Sequence, residues 1–208
     1  RVALARALMV NPDVILLDEP LSALDPVFRE DIRLMLKNLH QTSRTTFLMV
    51  THDFAEALSL ADCGAIMNRG RIEQTGSMED IFSRPASAFV ADFVGMKNIF
   101  SARFEDEKAF AGKHLFAITG QHDNDTGYIA IRPEDIVLSN ELLDSSMRNT
   151  FSGTVLRIID QGFSYEVHIR TDDIIFKSMV TKSSLFELGI REGNEIFLSI
   201  KASAIHVF

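Results

Sequence analysis

The run V-I-L-L-D-E-P-L-S-A-L-D-P, residues 14–26, decides the fold. Its first four residues form an unbroken apolar stretch of strand length, which stops abruptly at Asp18-Glu19-Pro20. A short apolar run without alternation is the pattern of a parallel strand covered on both faces, so two carboxylates are expected at that strand's C-terminal edge. Upstream, residues 1–8 (R-V-A-L-A-R-A-L) space apolar side chains at helical intervals, and Asn11-Pro12-Asp13 stops that helix. Downstream, Pro26 suits the first position of a second helix, whose apolar stripe (Val27, Phe28, Ile32, Met35, Leu36, Leu39) breaks at Gln41-Thr42-Ser43. A second buried strand over residues 46–51 ends in His52-Asp53. The unit is β-α-β, with polar groups at the carboxyl ends of both strands, the edge where open α/β sheets bind ligands.

Composition narrows the class. With 208 residues, 46% of them hydrophobic and 24% charged, the chain has room for one large domain or two small ones. A formal net charge of −8 lacks the basic excess that phosphate-backbone binding needs, which excludes nucleic acid as a partner. Cys63 is the only cysteine, so there is no internal disulfide and no multi-cysteine metal site; it is expected as a buried structural thiol in a reducing compartment. Apolar stretches such as residues 14–17 and 47–50 are far shorter than the roughly 18 residues of a membrane span. The chain opens at Arg1 inside an amphipathic pattern and has no signal-like n-region, so it reads as a piece whose N-terminal part is missing.

Past the β-α-β unit, Asn68-Arg69-Gly70-Arg71 reads as a hairpin turn, with Gly supplying a positive φ. Short helices follow over residues 77–82, with Ser77 as N-cap, and over residues 86–94 after Pro85, closed by Gly95. From there the period shortens to strand-like runs over residues 115–119, 128–131, 153–159, 165–170, 174–179 and 195–200, with one helical segment at 183–188 ending at Gly189. Residues 98–126, rich in charge, read as solvated loops, and no convincing internal repeat stands out. The expected organisation is an α/β part over residues 1–96 and a small all-β barrel over residues 97–208.

Charge at the end of an apolar strand needs a partner. Asp18 is suited to hold Mg²⁺ through water, and Glu19 to polarise a water that attacks a γ-phosphate. An acidic loop after a strand accounts for the same two residues. The whole run followed by T-H-D at residues 51–53 resembles the ABC ATPase family closely. That resemblance implies a partial P-loop-type nucleotide-binding domain that uses ATP and Mg²⁺. In it residues 14–18 are the Walker B strand and Glu19 the catalytic carboxylate. Ser22-Ala23-Leu24-Asp25 is the D-loop, and His52 the switch histidine at the γ-phosphate. Asp18, Ser22 and Asp25 are then the nucleotide-side contacts, with Mg²⁺ held by Asp18 through water. Residues 1–8 resemble the helix after the signature loop L-S-G-G-Q. That loop, the Gln-containing loop and the G-x-x-x-x-G-K-[ST] phosphate cradle do not occur in the chain.

I-R-P-E-D-I at residues 131–136 resembles the regulatory domain that follows many importer ATPases. Residues 145–208 resemble the oxyanion-binding module of molybdate and tungstate proteins, an oligonucleotide-binding-like five-stranded barrel. The matching elements are S-M-R-N (146–149), T-K-S-S (181–184), E-L-G-I-R-E-G (187–193) and K-A-S-A-I-H-V (201–207). A tetrahedral dianion needs hydroxyl or backbone donors and one or two cations. The resemblance gives that role to Ser146, Arg148, Thr181, Ser184 and Lys201, often shared between two copies. It implies the ATP-binding subunit of an importer, with molybdate or tungstate as cargo and regulatory ligand. Its partners would be a second ATPase subunit in a homodimer, a membrane permease and, through it, an extracytoplasmic substrate-binding protein. Its place would be peripheral, at the cytoplasmic face of the inner membrane. Two other readings stand beside it: an importer ATPase for a sugar, polyamine, iron or sulfate, and a non-catalytic oxyanion-binding module.

Overall fold

The computed structural model describes residues 6–208 except residues 23, 44, 121–124 and 144–145. Of the expected first helix, residues 1–5 lie outside the described set and residues 6–8 are helical; Ala23 of the expected D-loop is also outside it. The chain forms two compact units, Arg1–Ser83 and Arg84–Phe208.

In the first unit, β1 (Val14–Asp18) and β2 (Thr46–Val50) are parallel, in register from Val14 opposite Thr46 to Asp18 opposite Val50. The crossover is α1 (Pro26–Thr42). Leu21, Ile32 and Leu36 are buried with Leu17, Leu24, Met35, Phe47 and Leu60 packed round them, which is the stripe that the sequence pattern marks. The expectation that β1 is covered on both faces does not hold within the described residues. Leu16 is 73% and Leu48 59% exposed, on the face away from that core. α2 (Phe54–Leu60) leads to a separate hairpin of β3 (Cys63–Asn68) and β4 (Arg71–Ser77), and then to α3 (Met78–Ser83). The hairpin turn places both Arg69 (φ 49°) and Gly70 (φ 79°) in the left-handed region, as the twist of paired strands favours. Cys63 is exposed rather than buried, because this hairpin buries only one of its strand residues, Ile66.

The second unit begins with α4 (Ala88–Phe93) and continues through ten strands in two five-stranded sheets. The first half supplies β5 (Asn98–Glu105), β6 (Lys108–Ala111), β7 (His114–Ala117), β8 (Thr126–Ile131) and β9 (Ile136–Ser139). The second supplies β10 (Asn149–Asp160), β11 (Ser164–Thr171), β12 (Ile174–Thr181), β13 (Glu195–Ile200) and β14 (His206–Val207), with α5 (Lys182–Glu187) after β12. The sheet orders are β7-β6-β5-β8-β14 and β12-β11-β10-β13-β9, so each half completes its sheet with the last strand of the other. The registers match as well: Asn98 faces Ile131 as Asn149 faces Ile200.

This is an internal duplication, and it corrects the expectation that no repeat is present; the expected all-β, barrel-type second part holds, and its five-stranded unit occurs twice. M-K-N-I-F-S at 96–101 stands where M-R-N-T-F-S stands at 147–152, but the second copy has longer strands and an added helix, so no fixed period survives. Residues 98–126 are likewise not merely solvated loops. Their charged run is the β5–β6 turn itself, with Asp106 at φ 51°, while Ala102, Phe104, Ala109 and Ala111 beside it are buried.

Two buried asparagines tie the halves together. Asn98 Nδ2 donates to Ile131 O (3.2 Å) and Lys177 O (2.9 Å), and its Oδ1 accepts from Lys177 N (2.6 Å). Asn149 repeats this with Ile200 O (3.4 Å), Ala117 O (2.9 Å) and Ala117 N (2.6 Å). The aromatic core follows the same rule, Phe100 meeting Phe176 at 5.3 Å and Phe151 meeting Phe116 at 5.0 Å. The unit also starts earlier than the sequence boundary at residue 96. Val90, Ala91, Val94 and Met96 are buried, and Arg132 Nη1 donates to Val94 O at 2.7 Å, which draws α4 into the second unit.

Candidate functional site

The ladder between β1 and β2 runs one residue past β1, with Glu19 N–H donating to Val50 O at 2.8 Å. Glu19 then turns into the left-handed region (φ 42°), a strained setting for a residue with a long side chain. Ser22 closes the turn, its hydroxyl (2.9 Å) and N–H (3.2 Å) both donating to Glu19 O. The Glu19 carboxylate Oε1 accepts from His52 Nδ1 at 2.9 Å. His52 is held from behind. Thr51 Oγ1 donates to the buried Glu56 carboxylate (2.9 Å) and accepts from Asp53 N–H (3.0 Å), while Asp53 caps α2 by accepting from Ala55 and Glu56 N–H. The Glu19 hydrogen bond and then its charge raise the His52 pKa above the ordinary histidine value; desolvation opposes this, and Asp53 and Glu56 add smaller raising contributions.

The sheet edge therefore brings Glu19 and His52 together, with Asp18 exposed beside them at the end of β1. Ser22 is a turn former here, and Asp25 stands at the start of α1, where its carbonyl accepts from Arg29 N–H. With one Glu19 oxygen bonded to an imidazole, the other is available to a water. Among the described residues no group of three or more His, Cys, Asp or Glu forms a metal cage. A lone exposed carboxylate such as Asp18 suits Mg²⁺, which keeps several waters and takes few protein ligands.

The second set of candidates divides. Ser146, Arg148 and Lys201 line one open cleft with Thr119, Ala202 and Ser203, where the chain enters β10 and leaves β13. Lys201 and Ser146 have no hydrogen bond or close ion pair among the described residues, although the Lys201 charge acts on Asp135. Arg148 has only weak ones, Ile118 O at 3.5 Å and Glu107 Oε2 at 3.7 Å. Thr181 and Ser184 sit at the opposite end of β10, since Thr181 pairs with Ser164 beside the β10–β11 turn. There Thr181 Oγ1 accepts from Ser184 N–H (3.1 Å) and shares a hydrogen bond with its hydroxyl (2.9 Å), capping α5. Thr119 and Ser203 are donors the sequence reading misses. Ser203 lies inside the quoted K-A-S-A run, whereas Thr119 carries no signal because the motif quoted for its half, I-R-P-E-D-I, lies at residues 131–136, away from it.

Comparison with known proteins bears on the chain's relatives and fold. The TOBE domain family matches residues 145–207. Over all 208 residues the chain is 40% identical to the "Molybdate/tungstate import ATP-binding protein WtpC" of Pyrococcus horikoshii, of which it covers 60%. It is 36% identical over 210 aligned positions to the "Spermidine/putrescine import ATP-binding protein PotA" of Desulfitobacterium hafniense, covering 57% of that protein. The chain thus spans about 60% of the length of the first of these relatives. Among solved structures, the molybdate-bound, PEG-grown form of the cytoplasmic molybdate-binding protein ModG matches 54% of this chain and 95% of its own, with a TM-score of 0.50 and 21% identity, which bears on fold alone.

Proposed function

We propose that this chain, homologous over its full length to ATP-binding subunits of importers and carrying a TOBE domain at residues 145–207, is the catalytic-edge and regulatory part of such a subunit. The observation that carries this is the Glu19–His52 pair, 2.9 Å apart at the carboxyl edge of two parallel strands. Glu19 accepts a hydrogen bond from the water that attacks the γ-phosphate of ATP, and His52 donates to a phosphate oxygen and so reports whether that phosphate is present. Asp18 would hold Mg²⁺ through water, and the ion would neutralise charge on the phosphates. Ser22 and Asp25 lie on the turn and helix start that carry this edge toward a nucleotide.

The cleft of Ser146, Arg148 and Lys201 takes a tetrahedral oxyanion, with molybdate or tungstate the leading choice. Its lining residues are hydroxyls and cations, and the Glu107 carboxylate beside Arg148 (3.7 Å) is already ion-paired, so the cleft favours a fully deprotonated dianion over a phosphate whose proton needs an acceptor. Thr181 and Ser184 are too far along β10 to join this cleft from the same chain; they join one only from a second copy, which is the homodimer reading. A polyamine importer is the second reading, prompted by the spermidine/putrescine relative, and Arg148 and Lys201 would repel a polycation from this cleft. No helix among the described residues is long and apolar enough to cross a membrane. In this reading a permease would hold the protein at the cytoplasmic face of the inner membrane, with the substrate-binding protein on the far side.

Two measurements test this. In a protein extended to the relatives' full length, Glu19→Gln is expected to abolish turnover and retain ATP binding; turnover within a few-fold of the unaltered protein would overturn the catalytic assignment. Calorimetry of the 208-residue chain with molybdate, tungstate, sulfate and phosphate tests the cleft. Arg148→Ala should remove the heat, and no heat from either metal oxyanion at millimolar concentration would leave a generic importer ATPase.

A further inference from the structure

The shared registers give each residue of the cleft a counterpart in the first half of the second unit. Arg148 precedes Asn149 as Lys97 precedes Asn98, and Lys201 follows Ile200 as Arg132 follows Ile131. The one-turn helices that come next, Ala202–Ala204 and Pro133–Asp135, have the same length and place, so Ser203 corresponds to Glu134 and Ala204 to Asp135.

The cations agree in kind, but their surroundings do not. Lys97 Nζ donates to the Asp92 carboxylate (2.8 Å) and carbonyl (2.9 Å), and Arg132 Nη1 donates to Val94 O (2.7 Å). The end of α4 thus gives Lys97 and Arg132 close oxygen acceptors at 2.7–2.9 Å, where Arg148 has only Ile118 O at 3.5 Å and Glu107 Oε2 at 3.7 Å. The first half also sets two carboxylates where the second has Ser203 and Ala204. Burial, and then Glu134, push the Asp135 carboxyl above its ordinary range, against the opposing charges of Arg132 and Lys201.

We propose that the first half holds a second, latent oxyanion cleft, built on Lys97 and Arg132, which the chain keeps filled with its own Asp92 carboxylate and Val94 carbonyl and guards with Glu134. The proposal rests on the anion reading of the Arg148–Lys201 cleft. Arg148 and Lys201 are exposed and loosely held, so a ligand can engage them, whereas Lys97 and the half-buried Arg132 are already engaged by their own helix end. An anion entering the first cleft has to displace Asp92 and approach Glu134. The two halves, alike in fold, therefore bind one oxyanion per chain rather than two.

Titration of the 208-residue chain with molybdate and with tungstate reads this out as stoichiometry and affinity. The unaltered chain is expected to bind one equivalent. Ser203→Glu copies the guard into the open cleft, where the counterpart turn already accommodates glutamate, and should weaken binding at least ten-fold without lowering the melting temperature. The combined variant Asp92→Asn, Glu134→Ser, Asp135→Ala should raise the stoichiometry to two. A stoichiometry of one in that variant with an intact melt, two equivalents in the unaltered chain, or Ser203→Glu binding within two-fold of the unaltered chain would each overturn the proposal. Because Ser203→Glu is independent of the combined variant, loss of fold in the latter leaves the test standing. No binding by the unaltered chain would instead remove the underlying cleft reading, and this proposal with it.

Discussion

Glu19 and His52 lie 33 residues apart in sequence and meet because one crossover helix returns the chain to a parallel neighbour. That much was legible from an apolar strand, a helical stripe and a second strand. The hydrogen bond between them was not, since it depends on Glu19 entering the left-handed region at the strand end, which no spacing encodes. The pair makes a pH prediction. His52 has a raised folded pKa, so the contribution of its imidazolium to folding is fully present below the unfolded value of about 6.5 and is lost as pH rises through the folded value. Glu19→Gln removes the largest cause of the shift, and the His52 titration followed by histidine C–H NMR should move to lower pH. An unchanged midpoint would mean that the bond does not form in solution. Thr51→Val tests the support behind it: freeing the buried Glu56 carboxylate from its donor should broaden or shift the His52 signal, and Thr51→Ser should restore it.

At the scale of elements, the second unit is held by strands and asparagines exchanged between its halves. Asn98→Ala would leave Lys177 N–H and two carbonyls unmet in a buried setting, a loss of about 2–3 kcal/mol if one to two of those groups stay dry. Asn149→Ala should cost a similar amount, because it occupies the equivalent place with equivalent partners. Urea unfolding measures both, and a loss under about 0.5 kcal/mol for either would deny it the clamp role. Five of the seven strands from residue 126 onward were readable from their punctuation, and β13 has the same bounds in sequence and structure, while the short β9 and β14 were not. β5 and β6 were not, because the acidic turn between them dominated the local composition, while burial of Ala102 and Ala109 reports a pleat made of small side chains that carry little signal. The resemblance found Arg148 and Lys201. What it does not convey is that their surroundings differ from those of their counterparts Lys97 and Arg132, because that difference lies in which carbonyls and carboxylates the fold brings near.

For the whole molecule, the division into two units is a statement about where the chain can be cut. Pro85 and Gly95 bracket the helix that the sequence places at the end of the first part, and Gly95 does close it, at φ 93°. Punctuation shows where a helix stops, however, and says nothing of which core it enters. Val90 and Ala91 are fully buried, Val94 and Met96 nearly so, and Val94 O accepts from Arg132 at 2.7 Å, all within the unit that starts at Arg84. A piece comprising residues 84–208 should therefore unfold as one cooperative transition. A piece comprising residues 97–208 loses two buried valines, worth about 1.5–3 kcal/mol each, and the Val94 carbonyl that accepts from Arg132. Against a domain stability of about 5–15 kcal/mol, such a loss is a large fraction of the total. The shorter piece is expected to melt on the order of 10 °C or more below the longer one, with a shallower transition. Thermal melts of both pieces followed by circular dichroism decide it: equal melting temperatures would place the boundary at residue 96 and make α4 a linker rather than part of the second core.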